Sequence, residues 1–224
     1  MTRILLAVAT PLELKPLLSR LEHKPNTAQN IESYTYNNTY IDILYTGIGL
    51  VAMSFWLTKT LMENKYDLVI NAGIGGAFNS DLKMGEVVVV VNDVIAEMGI
   101  KTEKGFKPMS SITLEGMVAE MDMANDNTFY AASLKALKQV KGISVNTVSG
   151  TGDVISVYNK LYAADIESME GAAFLYVCNK LHIKGVQLRA VSNYVEPRQK
   201  SKWDIEKAVE NLSQTLLKFF EELK

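Results

Sequence analysis

The sequence predicts an α/β layered fold with a mostly parallel sheet, on three observations. Short β-branched runs alternate with longer stretches of helical period along the whole chain, as expected for strands joined by helical crossovers. The 224 residues are 48% hydrophobic and 21% charged, enough apolar material for one sizeable core. No stretch rich in Pro, Gly or Ser divides the chain and no internal repeat is visible, so residues 1–224 are expected to form a single domain.

The first run, residues 4–9, leads through Thr10-Pro11 into a helical stretch over 12–21; proline is well suited to a first helical turn. Further strands are expected at 39–45, 68–71, 86–92, 144–148, 165–169 and 186–191, and helices at 51–64, 127–139, 171–181 and 201–223. In the last helix Trp203, Ile205, Ala208, Val209, Leu212, Leu216, Leu217 and Phe220 recur close to a helical period. Such a stripe packs on a sheet; a partner-binding helix is the alternative. Residues 93–125 are the least regular stretch, rich in Met, Glu and Lys, with Gly99, Gly105, Pro108 and Gly116. A loop of that length is either a functional lid or a variable surface excursion.

Several functions are disfavoured by composition. A net charge of −2 gives no nucleic-acid surface. The single cysteine, Cys178, sits in an apolar helical stretch. It excludes a disulfide framework within the chain, fits a reducing, cytoplasmic location, and reads as a small core hydrophobe before a nucleophile. The first apolar run is interrupted too early for a signal peptide. No apolar run approaches the roughly 20 residues of a membrane span. His23 and His182 are far apart and stand in no ligand pattern, so neither a metal nor another cofactor is expected.

Ligands of open α/β sheets bind at the carboxyl ends of strands. Three polar side chains fall there: Glu13 after the first strand, Glu170 opening a helix after 165–169, and Asn193 just past 186–191. Each has a structural reading too. A carboxylate in a first helical turn complements the helix dipole, and Asn is a common turn residue. Two glycine clusters, Thr46-Gly47-Ile48-Gly49 and Gly73-Ile74-Gly75-Gly76, also follow strand candidates. Glycine permits tight turns and close approach of backbone to a ligand. Neither cluster has the spacing of a dinucleotide fingerprint or a Walker loop.

The run Glu167-Ser168-Met169-Glu170-Gly171-Ala172-Ala173 resembles the Met-Glu-Gly-Ala signature of the nucleoside phosphorylase and nucleosidase superfamily. The two glycine clusters and Ser149-Gly150-Thr151-Gly152-Asp153 stand in the order that superfamily has. Within it, Val145-Asn146-Thr147-Val148-Ser149-Gly150, Ser192-Asn193-Tyr194-Val195-Glu196-Pro197-Arg198 and Trp203 resemble the futalosine hydrolases of a menaquinone pathway. The resemblance covers essentially the whole chain. It implies a single-domain, three-layer phosphorylase/hydrolase-like fold, with a central mixed β-sheet flanked by helices. It also implies an enzyme that hydrolyses an N-ribosidic bond and releases hypoxanthine.

Roles follow from the resemblance. Glu170 accepts hydrogen bonds from the ribose hydroxyls, for which two carboxylate oxygens are suited, and Met169 packs on the sugar. Glu13 positions and deprotonates water. A carboxylate there would repel phosphate, and Ala9-Thr10-Pro11-Leu12-Glu13 contains no arginine. Asn193 stands where adenine-specific nucleosidases carry aspartate; its amide can bond N7 and O6 of a 6-oxopurine, and turned over could bind adenine. Ile155 stacks on the base, Gly76 lets backbone approach it, Ile48 borders the sugar, and Ser192 adjoins Asn193 in the substrate-binding set. The benzoate tail of futalosine would seek a cation, for which Lys101, Lys104, Lys107 and Arg198 are candidates. The alternative substrate is methylthioadenosine or adenosylhomocysteine. A homo-oligomer is expected, with no nucleic-acid or membrane partner.

Overall fold

The computed structural model describes residues 1–26, 28–111, 122–124, 131–197 and 203–223. The strands among them are β1 (Thr2–Val8), β2 (Glu22–Lys24), β3 (Ile31–Tyr36), β4 (Thr39–Tyr45), β5 (Leu68–Ala77), β6 (Val87–Ile95), β7 (Gly99–Thr102), β8 (Gly105–Pro108), β9 (Asp122–Ala124), β10 (Lys138–Ser144), β11 (Ile166–Ser168) and β12 (Gly185–Tyr194). The helices are α1 (Lys15–Leu18), α2 (Leu50–Glu63), α3 (Ala132–Lys135), α4 (Gly152–Tyr162), α5 (Gly171–Lys180) and α6 (Ile205–Glu222).

One mixed sheet carries the fold, in the order β11-β10-β6-β12-β5-β1-β4-β3-β2. Its centre is parallel: β4, β1, β5 and β12 all run the same way. The pattern of alternating strands and helices predicts that part. The antiparallel pairs β12–β6, β3–β4 and β2–β3 make the sheet mixed. β11 also pairs back, antiparallel, onto the far end of β5. So β5, β12, β6, β10 and β11 close into a five-stranded ring, and β1 to β4 extend from it as an open wing.

The core has one apolar cluster for each layer. Ile4, Leu6 and Val8 of β1 face one side with Ile41, Ile43, Leu188 and the α6 residues Ala208, Leu212, Leu216, Phe219 and Phe220. Leu5 and Ala7 face the other side with Leu44, α2 and α5. Strands covered on both faces are apolar throughout rather than alternating, and β1 reads that way. The ring has its own filling: Ala77, Val88, Val90, Val140, Ile166 and Val191, drawn from all five of its strands, pack with Leu82. α6 begins at Asp204, whose side chain accepts from Lys207 N at 3.1 Å, and lies along the sheet as its apolar stripe predicts. Cys178 is a core residue, its thiol pushed up to about 12 by burial.

Local readings fail where pairing overrides periodicity. The helix expected over 127–139 is helical only at α3 among its described residues, and the chain is already in β10 at Lys138. Residues 140–143 fall between the expected helix and the expected strand; partners on both sides, β6 and β11, make the segment a strand. The strand expected at 144–148 therefore comes early. Beyond β10, the Asn146 and Thr147 amides bond the Glu97 carboxylate instead, each at 2.9 Å. The expected helix 12–21 is a 3-10 turn, Pro11–Leu14, followed by the single turn of α1. α4, β2 and β3 are additions to the sequence reading. The irregular stretch 93–125 holds the end of β6, the β7–β8 hairpin and β9, with 112–121 and 125 outside the described residues.

Among the described residues no helix is long and apolar enough to cross a membrane, and no group of His, Cys, Asp or Glu is arranged to hold a metal ion.

Candidate active site

Where β1 ends, Thr10 starts the 3-10 turn that carries Glu13. The Glu13 carboxylate accepts from Thr10 N at 2.9 Å through Oε2 and from Ile74 N at 3.4 Å through Oε1. It is 8% exposed. Burial raises its pKa above the ordinary value; the Thr10 amide and Arg189 oppose the rise and Glu170 adds to it. Glycine at 73 makes this seat possible, because a Cβ there would stand 2.6 Å from Glu13 Oε1 and 3.3 Å from Arg189 Nη1.

Arg189 is the charged residue that the motif reading passes over. It lies in β12 at 1% exposure, with Nη2 donating to Asn71 Oδ1 and Nη1 to Leu188 O. The signal was present: an arginine inside the apolar run 186–191 is costly to bury unless paired. Its bonds to Asn71 and Leu188 O meet part of that requirement, while its Nε is buried without a hydrogen-bond partner.

Glu170 arrives from the opposite direction. It follows the carboxyl end of β11, a strand antiparallel to β5. Its Oε1 accepts from Gly49 N at 2.9 Å. That amide is presented by the turn after β4, where Gly47 and Gly49 have φ of +83° and +97°, left-handed values that glycine adopts without steric cost. The turn is pinned to β1 by bonds from Thr46 N and Gly47 N to Val8 O and Ala9 O. Glu13 and Glu170 thus share one site, each within the other's electrostatic reach.

A bulge aims Asn193. Val191 pairs with Gly75 and Asn193 with Gly76, leaving Ser192 as the extra residue of β12; bulges commonly re-aim side chains beside active sites. The Ser192 hydroxyl is buried, within bonding distance of Gly75 O (3.2 Å) and Asn193 Oδ1 (2.9 Å). Asn193 Nδ2 donates one hydrogen to Tyr194 O at 3.0 Å. The amide is thereby oriented, with a second Nδ2 hydrogen left to offer. Gly76 makes room, since a Cβ there would lie 3.0 Å from Asn193 Nδ2.

The remaining expected residues are placed as follows. Met169 is half-buried between β11 and Glu170, and Ile48 is 62% exposed between the two left-handed glycines. Ile155 is half-buried in the first turn of α4, a helix without a buried residue. Lys101, Lys104 and Lys107 are exposed on the β7–β8 hairpin, and Arg198 lies outside the described residues.

From Leu50, next to Gly49, a cleft of about 890 Å³ runs along α2. Val51, Phe55, Ile95 and Met98 give it apolar walls, Asn146 and Glu97 border it, and Lys59 is a cation on its lining. The sequence reading did not single out Lys59.

Comparison with known proteins bears on the family and the fold. A family model described as the phosphorylase superfamily matches residues 3–222. A futalosine hydrolase of Thermus thermophilus is 28% identical over 183 residues, covering 80% of each chain. A 5'-methylthioadenosine/S-adenosylhomocysteine nucleosidase of Glaesserella parasuis is 26% identical over 182 residues, covering 75% of this chain and 74% of its own. The native structure of futalosine hydrolase from Helicobacter pylori superposes with a TM-score of 0.83 at 20% identity, covering 99% of this chain and 98% of that one.

Proposed function

Because the chain belongs to the phosphorylase superfamily, with the active-site architecture of a nucleosidase-type hydrolase, we propose that it hydrolyses the N-ribosidic bond of futalosine. Hypoxanthine and dehypoxanthine futalosine are the products, which places the reaction in menaquinone biosynthesis. The observation that carries the reading is the pairing of a buried Glu13 with an oriented Asn193 across Gly73–Gly76.

Departure of the base leaves an oxocarbenium-like sugar. Glu170 accepts from the ribose hydroxyls and sets a negative charge near the developing cation, which lowers the barrier. Met169 packs against the sugar and Ile48 borders it. Glu13 binds the incoming water and takes its proton. A carboxylate raised by burial is the better base near neutral pH, and the bonds from Thr10 N and Ile74 N fix its direction.

Asn193 stabilises the leaving base by hydrogen bonding; the base takes its proton from solvent, and Glu13 returns the water's proton to solvent before the next turnover. With Ser192 bonded to Oδ1 and Tyr194 O taking one Nδ2 hydrogen, the amide presents a donor. Hypoxanthine offers two acceptors, N7 and O6, where adenine offers N7 and an amino group. The base stacks on Ile155 beside Gly76. Ser192 acts on the base through Asn193. The tail of the substrate follows the cleft along α2, its aromatic ring against Phe55 and Met98, and its carboxylate near Lys59. Lys59 thereby joins Lys101, Lys104, Lys107 and Arg198 as a candidate partner.

The protein acts as a homo-oligomer on this reading. Val51, Phe55 and Met62, 81%, 59% and 75% exposed, form one stripe of α2, and a second copy laid on it would roof the cleft.

A second reading, adenine release from methylthioadenosine or adenosylhomocysteine, is favoured by the nucleosidase relative and by the free lone pair of Asn193 Oδ1. Base release from futalosine, inosine and methylthioadenosine, with and without phosphate, tests both. Phosphate-independent hypoxanthine from futalosine supports the first reading. Adenine from methylthioadenosine with inert futalosine overturns it.

A further inference from the structure

Glu170 is the N-cap residue of α5, yet its side chain makes no cap bond. An N-cap side chain ordinarily satisfies one of the free amides of the first helical turn. Here the Glu170 carboxylate is turned away, onto Gly49 N. The first two amides of α5 are met by other groups. Gly171 N donates to Ser168 Oγ at 3.3 Å, and Ala172 N donates to Ser144 Oγ at 2.8 Å.

Ser144 is in turn held from below. Its hydroxyl donates to Asp93 Oδ1 at 2.9 Å, while Gln187 Nε2 donates to Asp93 Oδ2 at 2.9 Å. Asp93, Ser144 and Gln187 are all at 0% exposure. They press directly on the helix start: a Cβ at Gly171 would stand 2.0 Å from Gln187 Nε2 and 2.2 Å from Asp93 Oδ2. A buried carboxylate beneath a helix N-terminus also complements its dipole.

We propose that Asp93 and Ser144 are positioning residues for Glu170, acting as a surrogate cap that frees the N-cap carboxylate to face the sugar. Without the Ser144 hydroxyl, Ala172 N–H is buried and unpaired, and the carboxylate of Glu170, at the N-cap position, is an acceptor placed to turn onto it. The carboxylate then swings back onto its own helix, leaving Gly49 and the ribose. The catalytic consequence rests on the reading of Glu170 as acceptor for the ribose hydroxyls; the structural consequence does not.

Two measurements on Ser144→Ala separate these. Amide hydrogen exchange at Gly49, followed by NMR in the free protein, reports the Glu170–Gly49 bond directly. It is expected to quicken at least tenfold, and unchanged exchange in the folded variant overturns the proposal. A double-mutant cycle with Glu170→Ala, read as kcat/KM for futalosine, reports coupling. Ser144→Ala alone is expected to lose at least tenfold and to lose nothing further once Glu170 is gone; additive losses overturn the positioning role. Should Glu170→Ala itself leave kcat/KM unchanged, the reading of Glu170 fails while Gly49 exchange still decides the cap. Asp93→Asn gives a second route if Ser144→Ala does not fold.

Discussion

Gly73→Ala is the sharpest test of Glu13, because it perturbs the carboxylate without removing it. The added methyl would stand 2.6 Å from Glu13 Oε1, where ordinary contacts begin at 3.4 Å. The carboxylate must therefore retreat by most of an ångström. It cannot slide freely, since Thr10 N holds one oxygen and Ile74 N the other, and Arg189 Nη1 lies 3.3 Å from the same methyl position. A misplacement of about 1 Å in a reacting group costs on the order of 100-fold in rate. The variant is expected to lose about 30- to 100-fold in kcat with KM within about threefold of wild type, since the ribose and base contacts stay in place. Overpacking should cost about 1–3 kcal/mol of stability, which thermal unfolding would show as a folded but weaker protein. The assay is hypoxanthine release from futalosine under saturating conditions. Full kcat in a folded Gly73→Ala would refute the assignment of Glu13 as the base.

Further outcomes follow from the same geometry. Glu13→Gln should lower kcat by about 10²- to 10⁴-fold, the range for losing a general base. Burial raises the Glu13 pKa above 4.5, and the base must be ionised, so wild-type kcat/KM should fall with decreasing pH on a limb centred above 4.5; a limb at or below that value refutes the assignment. Asn193→Asp should raise the adenine-to-hypoxanthine rate ratio measured on methylthioadenosine and futalosine, and an unchanged ratio would mean that base choice is set elsewhere. Phe220→Ala, at 0% exposure under the sheet, should cost about 3–5 kcal/mol in urea unfolding, and a cost below about 1 kcal/mol would contradict the packing of α6. Burial pushes the Asp93 carboxyl from 3.8 to about 6. The folded state therefore binds its proton more tightly than the unfolded chain, and stability falls as pH rises through that window by about 3 kcal/mol. Glu13 and Glu167, also raised by burial, act in the same direction; Asp93→Asn should flatten the slope.

Legibility in the sequence followed locality. β1, β4, β5, β12, α2, α5 and α6 were readable because their apolar periods match the faces they bury. β10 was not, because Val140 and Ile143 become a strand only through β6 and β11, which lie far away in sequence. α4 was hidden for the opposite reason: it buries nothing, so no stripe marks it. In the site, Glu13, Glu170 and Asn193 stood out as polar groups at element boundaries, and the structure brings Glu13 and Glu170 within electrostatic reach and sets Asn193 beside Gly76. Arg189, Asp93 and Ser144 lie inside strands, where their roles depend on Gly73, Gly171 and Ala172 of other elements. Sequence spacing carries no trace of such contacts.

The same buried charges bear on why water rather than phosphate should attack. Phosphate needs donors that it can reach, from cations or from backbone amides. Arg189 supplies a positive charge, but at 1% exposure it is tied to Asn71 and Leu188 O. It tempers the rise in the Glu13 pKa without being accessible to a ligand. The amides at the same edge are also committed, Thr10 N and Ile74 N to Glu13 and Gly49 N to Glu170. An incoming dianion would meet two carboxylates and, the unpartnered Arg189 Nε being buried, no donor within its reach among these groups, whereas a water needs only an acceptor for its proton. Turnover that required phosphate would break this chain of reasoning at Glu13 and at the donors committed around it.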